Sequence, residues 1–263
     1  MGTYEDVIGG NPRSIGRAIS LVENGGPGSR ELMRRVRSLR ARALIFGVTG
    51  ATGSGKSTLV DRLIGPLREK RKKVGIIAID PSSPFTGGSV LGDRIRMMRH
   101  ASDPGVFIRS MATRGHAGGL ARAAADAAAI LSAAETDIVL VETVGVGQAE
   151  VEVIDLADVV LVLLTPGAGD EIQISKAGIM EIADIFVLNK SDLPGSERLE
   201  AQVGAMLDLG PSDASRPSIF KTSATEGMGI DRLVEEMLRL GVRRKRRVRA
   251  QPAGISSRAR NGS

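Results

Sequence analysis

Hydrophobic positions along this chain follow two rhythms. Over the first forty residues they recur every three or four places: Ile15, Ala18, Ile19 and Val22 within 12–23, closed by Asn24-Gly25-Gly26, then Leu32, Met33, Val36 and Leu39 within 29–40. Such spacing gathers each set on one face of a helix. From residue 43 the apolar residues bunch into short continuous runs at 43–48, 74–79, 106–110, 137–141, 159–164, 185–188 and 218–221. Segments of helical period separate nearly all of them, for example 56–70, 118–134, 196–209 and 230–240. Apolar strands joined by crossover helices predict an α/β fold. Its mostly parallel central sheet is flanked by helices and preceded by a short N-terminal helical extension.

Composition narrows the chemistry. The 263 residues are 42% hydrophobic but only 2% aromatic, with no Trp and one Tyr, so the core is aliphatic, as suits strands buried on both faces. With no cysteine, disulfides, thiolate zinc sites and thiol catalysis are excluded. Two histidines, His100 and His116, leave little for a transition-metal site, and each reads as a packed or surface residue. No run has the length of a signal peptide h-region or a membrane span, which makes a cytoplasmic protein with no membrane partner the expectation. The pI near 10 comes from one end. Eight of the 36 basic residues lie in 241–263 with no acid among them, leaving 28 basic against 30 acidic residues elsewhere. This tail lacks aromatics, so it reads as a solvated or partner-docking end, frayed from Arg243 onward, more than as a nucleic-acid clamp. The expected divisions are an extension at 1–41, a nucleotide-binding domain at 42–241 and a basic tail at 242–263.

The strand at 43–48 runs straight into Gly50-Ala51-Thr52-Gly53-Ser54-Gly55-Lys56-Ser57-Thr58, and a helix follows. This is the G-x-x-x-x-G-K-S phosphate loop in the strand–loop–helix setting that it requires. Glycines let backbone N–H groups close on phosphate oxygens, and the helix start adds partial positive charge. Lys56 is placed to reach the β- and γ-phosphates, and the Ser57 hydroxyl to ligate Mg²⁺.

At the end of the strand at 185–188 stands Asn189-Lys190-Ser191-Asp192. The carboxyl ends of parallel strands are where such sheets bind ligands. Asp192 there can accept from the ring N–H and exocyclic amine of guanine, which adenine lacks in that arrangement. Lys190 can lay its stem on the purine and Asn189 can brace the loop. After the last strand, Thr222-Ser223-Ala224 offers the Ala224 N–H to the guanine oxygen. The ligand expected is therefore GTP or GDP.

A third strand end carries Glu142-Thr143-Val144-Gly145, where small GTPases place D-x-x-G. Glu142 can hold Mg²⁺ directly or through water, and Gly145 can turn its N–H onto the γ-phosphate. Ras-like proteins carry a water-orienting Gln at the next position; here it is Val146, which predicts slow intrinsic hydrolysis. Gln148 is either a substitute or an ordinary loop residue. Asp80 and Asp93 flank a Gly-, Pro- and Ser-rich segment that reads as a switch loop, and both are candidate metal ligands. Arg94 and Arg96 are either phosphate sensors or surface charges.

In these stretches (47–58, 80–96, 109–119, 142–150, 166–184, 189–192 and 222–224) the chain strongly resembles the MeaB/ArgK family, which includes the methylmalonic aciduria type A protein. These are G-protein chaperones of adenosylcobalamin-dependent acyl-CoA mutases. The resemblance implies a SIMIBI-type P-loop NTPase that hydrolyses GTP, gates cobalamin loading and protects or reactivates a mutase of the methylmalonyl-CoA type, without itself binding cobalamin. It further implies Mg²⁺ ligation by Ser57, Asp80, Asp93 and Glu142, and a third switch at 166–173. Members typically read D-E-L-Q-G-I-K where this chain has Asp170-Glu171-Ile172-Gln173-Ile174-Ser175-Lys176; Gln173 and Lys176 are retained, and by resemblance complete catalysis when the mutase docks. A cobalamin adenosyltransferase is a further candidate partner. The chain stops before the longer C-terminal arm with which many members dimerise, which leaves a homodimer open. Nickel-centre assembly and a transport-associated kinase are the competing readings; the first lacks Cys ligands, the second an acceptor site.

Overall fold

The computed structural model describes residues 4–39, 43–80, 98–100, 102–112, 117–143, 145, 154, 156–167, 182–209 and 216–250. Three helices open the chain, α1 (Tyr4–Ile8), α2 (Pro12–Glu23) and α3 (Ser29–Ser38). Then strands and helices alternate: β1 (Leu44–Gly50), α4 (Lys56–Glu69), β2 (Val74–Asp80), β3 (Val106–Ala112), α5 (Ala117–Ala133), β4 (Ile138–Glu142), β5 (Val159–Leu164), β6 (Ile185–Leu188), α6 (Ser196–Asp208), β7 (Ser218–Lys221) and α7 (Ile230–Ala250). The seven strands form one sheet in the order β3-β2-β4-β1-β5-β6-β7, and every described pairing is parallel.

Parallel strands joined by crossovers must be covered on both faces, and two apolar layers do this. One face packs Leu59, Leu63, Ile64 and Leu67 of α4 with Leu233, Val234 and Met237 of α7 against Phe46, Val48, Ile76 and Leu140. The other packs α5 (Ala124, Ala127, Leu131) against Ile77, Val139 and Val141, and the N-terminal helices close over it through Ile15, Ile19, Met33 and Val36. A smaller cluster seats Val203 of α6 on Phe186 and Val162. The extension is thus an extra layer on α5. Asn11 caps α2, its Oδ1 accepting from the Arg13 and Ser14 N–H groups at 3.0 and 3.1 Å. Arg109 of β3 reaches back to Glu23 at 2.6 Å and Ser20 at 3.0 Å.

The edge of the sheet away from the phosphate loop is tied by carboxylates that accept strand-entry N–H groups. Asp158 accepts from Ile45, Asp184 from Val160 and Asp137 from Lys73, at 2.8, 2.8 and 2.9 Å. Where a chain frayed from Arg243 is expected, the structure holds a helix as far as Ala250, and residues 251–263 lie outside the described residues. Helix α7 continues through the boundary expected at 241 to Ala250. Arg244 pairs with Asp184 and donates to the Asp158 carbonyl, while the Lys245 ammonium meets the Ala43 carbonyl. Composition marks these residues as a charge run; acceptors distant in sequence make them docking side chains.

Candidate functional site

Because all strands run the same way, their carboxyl ends share one edge, and the predicted motifs meet there. Gly50 ends β1, Glu142 ends β4 beside it, and Asp80 ends β2, whose Ala78 is in register with Glu142. Asn189 and Thr222 follow β6 and β7 directly. The sequence leaves β1 for strands on one side and later crosses to β5, β6 and β7 on the other. Such a switch of direction opens a crevice at the carboxyl edge, where doubly wound sheets bind ligands.

Two glycines of the phosphate loop are required by their surroundings. Gly50 has φ 145°, and a Cβ there would stand 2.5 Å from the Leu163 carbonyl oxygen. Gly55 has φ 92°, and a Cβ there would meet the Asn189 amide nitrogen at 2.4 Å. Between them the loop wraps the Lys56 ammonium, which donates to the Gly50 and Ala51 carbonyls at 2.8 and 2.9 Å. Ser54 is buried within the loop. Helix α4 starts at Lys56, so its unpaired N–H groups and partial positive charge face the cradle.

Ser57 donates from Oγ to Glu142 Oε1 at 2.5 Å, across 85 residues. A hydroxyl touching a buried carboxylate beside a phosphate loop is a hard, all-oxygen donor pair, the type Mg²⁺ prefers. Of the four expected metal ligands, these two are brought together. Asp80 is placed by its backbone alone, and Asp93 lies outside the described residues, as do Gln173, Lys176, Gln148, Arg94, Arg96 and His116. Among the described residues no group of three or more His, Cys, Asp or Glu side chains is placed to hold a metal ion.

Asn189 links three loops. Its Nδ2 donates to the Ser54 carbonyl at 2.8 Å, and its Oδ1 accepts from Thr222 Oγ1 and from the Ala224 N–H, both at 3.1 Å. The bracing role expected of Asn189 is thus visible. The Ala224 N–H, expected to meet a guanine oxygen, is turned onto Asn189 here. Ser191 binds the Thr222 carbonyl through N–H and Oγ at 3.0 and 2.9 Å. Lys190 takes φ 56°, and both it and Asp192 are exposed at the mouth of this loop. Ser223 and Met228 exchange N–H···O bonds at 3.1 Å, closing the last loop, and Arg62 of α4 holds it from outside by donating to the Thr225 carbonyl at 2.6 Å.

Three features escaped the sequence reading. Thr49 and Thr143, both fully buried, bond to each other and to the Gly145 carbonyl. Both lie in motif stretches quoted above, Thr143 within Glu142-Thr143-Val144-Gly145, but the sequence assigned neither a role. Arg62 shows no signal at all. His100, read as a packed or surface residue, is packed 3.1 Å from Asp61, a partner the sequence did not indicate, and Asp61 also takes Arg99.

A seven-stranded parallel sheet with this phosphate loop and base loop is the framework of a P-loop GTPase of the SIMIBI type. The chain belongs to the MeaB family: the family model described as methylmalonyl Co-A mutase-associated GTPase MeaB matches residues 15–255. A Pyrococcus abyssi protein named as a GTPase is 51% identical over 233 residues, covering 87% of this chain and 72% of that one. GTPase ArgK of Escherichia coli is 37% identical, covering 85% and 70%. The mouse methylmalonic aciduria type A homolog, named as mitochondrial, is 36% identical, covering 89% and 61%. Among solved structures, one described as an LAO/AO transport system kinase superposes with a TM-score of 0.75 at 27% identity, covering 94% of this chain and 76% of that one. The nickel-bound HypB of Helicobacter pylori shares the fold, with a TM-score of 0.54 at 18% identity. The chain is therefore a GTP hydrolase. Among the described residues no helix is long and apolar enough to cross a membrane.

Proposed function

We propose that this chain is a Mg²⁺-dependent GTPase that serves an adenosylcobalamin-dependent acyl-CoA mutase, coupling GTP hydrolysis to cofactor loading and to protection or reactivation of the mutase. The observation that carries the nucleotide half is the Ser57–Glu142 contact at the mouth of the Lys56 loop, with Asn189 joining that loop to the guanine-type motif. The mutase half is supported by the family description, which matches most of the chain.

Gly50 to Thr58 wrap the phosphates, and Lys56 exchanges loop carbonyls for β- and γ-phosphate oxygens. Ser57 and Glu142, with Asp80 and Asp93, would hold Mg²⁺, which would supply positive charge against that of the triphosphate. Gly145 offers its N–H to the γ-phosphate. Asp192 reads the guanine edge, Lys190 covers the ring, and Ser223 and Ala224 shape the far wall. Water attacks in line, with Lys56 and the loop N–H groups stabilising the developing charge. Val146 stands where Ras-like proteins orient water with Gln, so the basal rate is low; Gln173 and Lys176 complete the site once the mutase docks.

The test is calorimetry and turnover on the purified chain. With Mg²⁺, GTP and GDP bind at least about tenfold tighter than ADP, and saturating cognate mutase accelerates GTP turnover. Equal affinity for ADP removes the guanine assignment, and unchanged turnover at saturation removes the mutase assignment.

A further inference from the structure

The carbonyl of Gly145 is held by two side chains that neither the metal nor the base needs. Thr49 is the penultimate residue of β1 and Thr143 follows β4; these strands are neighbours, with Val48 in register with Glu142. The Thr143 N–H donates to the Val48 carbonyl at 3.1 Å, which sets the two threonines side by side. Thr49 Oγ1 lies 3.0 Å from the Gly145 oxygen, Thr143 Oγ1 lies 3.3 Å from the same oxygen, and the two hydroxyls are 3.2 Å apart. With one proton each, Thr49 donates to the Gly145 carbonyl, and Thr143 shares its proton between that carbonyl and Thr49. The three oxygens form a closed triangle.

Both threonines are buried, 1% and 0% exposed. Burying a hydroxyl is costly unless it is bonded, and valine has nearly the same shape and suits a sheet interior. The hydroxyls are therefore explained by what they hold. Among the described residues no atom crowds Gly145: the nearest to a Cβ built there is Thr52 Oγ1, 4.0 Å away. That same neighbour puts Gly145 beside the phosphate loop. Among the described residues, the bonds to its carbonyl are the side-chain hydrogen bonds that hold this peptide.

We propose that Thr49 and Thr143 are positioning residues for the triphosphate state, holding Gly145 so that its N–H meets a γ-phosphate without first being ordered. This rests on the reading of Gly145 as the γ-phosphate contact. Ordering a contact group in advance removes that cost from binding, and only a ligand that uses the contact gains. GDP has no γ-phosphate, so it gains nothing.

The test compares a non-hydrolysable GTP analogue with GDP by Mg²⁺ calorimetry on the full chain carrying Thr49→Val, Thr143→Val or the matching serines, with melting temperatures measured alongside. Either valine variant is expected to lose about five- to tenfold in analogue affinity, roughly one hydrogen bond. GDP affinity stays within about twofold, and the serines restore the analogue. Thr49→Ala carries the same comparison should a valine variant not fold. Equal losses for both nucleotides, or an unchanged analogue affinity, overturn the proposal. A wild-type chain that binds the analogue and GDP normally while these variants do not separate them refutes the threonine assignment alone. A wild-type chain that binds neither takes down the GTPase reading with it.

Discussion

Asn189→Ala tests whether one amide couples the phosphate loop to the base loop. The side chain is 1% exposed and makes three hydrogen bonds, to the Ser54 carbonyl, Thr222 Oγ1 and the Ala224 N–H. Each is worth about 1 kcal/mol net, and truncation leaves the partners buried and unsatisfied at about 1–3 kcal/mol each, partly recovered by relaxation and water. A stability loss near 3 kcal/mol follows, and guanine-nucleotide affinity falls by the part of it that binding must offset to reorder the loops, about tenfold if that part is half. A fluorescent GDP titration, with a thermal melt to record the change in the free chain, reads it. The geometry also predicts coupling. A Cβ on Gly55 would stand 2.4 Å from the Asn189 amide nitrogen. Gly55→Ala therefore costs less in the Asn189→Ala background than in the wild type, although the strain of φ 92° persists in both. If GDP affinity in Asn189→Ala stays within about twofold of wild type, or if the two substitutions are strictly additive, the three-loop coupling is wrong.

Glu142→Gln keeps the shape but removes the charge beside Ser57, so half-maximal GTP turnover requires about tenfold more Mg²⁺ or higher; an unchanged Mg²⁺ titration removes Glu142 from the metal site. Arg68→Met breaks the paired bonds to Asp103 at 2.8 and 2.9 Å and the bond to the Lys72 carbonyl, and lowers stability by about 1–3 kcal/mol in urea unfolding. The Arg68 guanidinium and then the Gly105 N–H hold the Asp103 carboxyl below its ordinary value. A lowered folded-state pKa gives stability that is present above the ordinary aspartate range and lost as pH falls through the folded value. Stability of the wild type therefore declines below about pH 4, and Asp103→Asn flattens that decline; identical pH profiles refute the assignment. Arg244→Ala deprives Asp184 of its guanidinium, and thermal melts are expected to fall by an amount equivalent to about 1–3 kcal/mol, more than for Arg243→Ala on the exposed side of the same helix.

Much of the fold was legible because its signals are local. The runs at 159–164, 185–188 and 218–221 coincide with β5, β6 and β7, and the 12–23 periodicity coincides with α2. Strand length, apolar bunching and glycine punctuation depend on neighbours in sequence. The phosphate loop was legible for the same reason, since its glycines, lysine and serine are consecutive. Strand order and the covering of each face were not local. They follow from which apolar surfaces bury one another, and that set β1 between β4 and β5.

What sequence did not supply is the pairing of residues that lie far apart along the chain. Ser57 touches Glu142 across 85 positions, and Asn189 touches Ser54 across 135. Arg62 reaches Thr225 across 163, and Lys245 reaches Ala43 across 202. No periodicity encodes such pairs, because hydrogen-bond geometry exists only after packing has set the distance. Amino-acid order alone therefore determined the class of fold and the chemistry at each strand end. Tertiary structure decided which of those ends meet, that the basic helix docks in part on the sheet, and that two threonines to which the motifs assign no role bond the Gly145 carbonyl beside the phosphate loop.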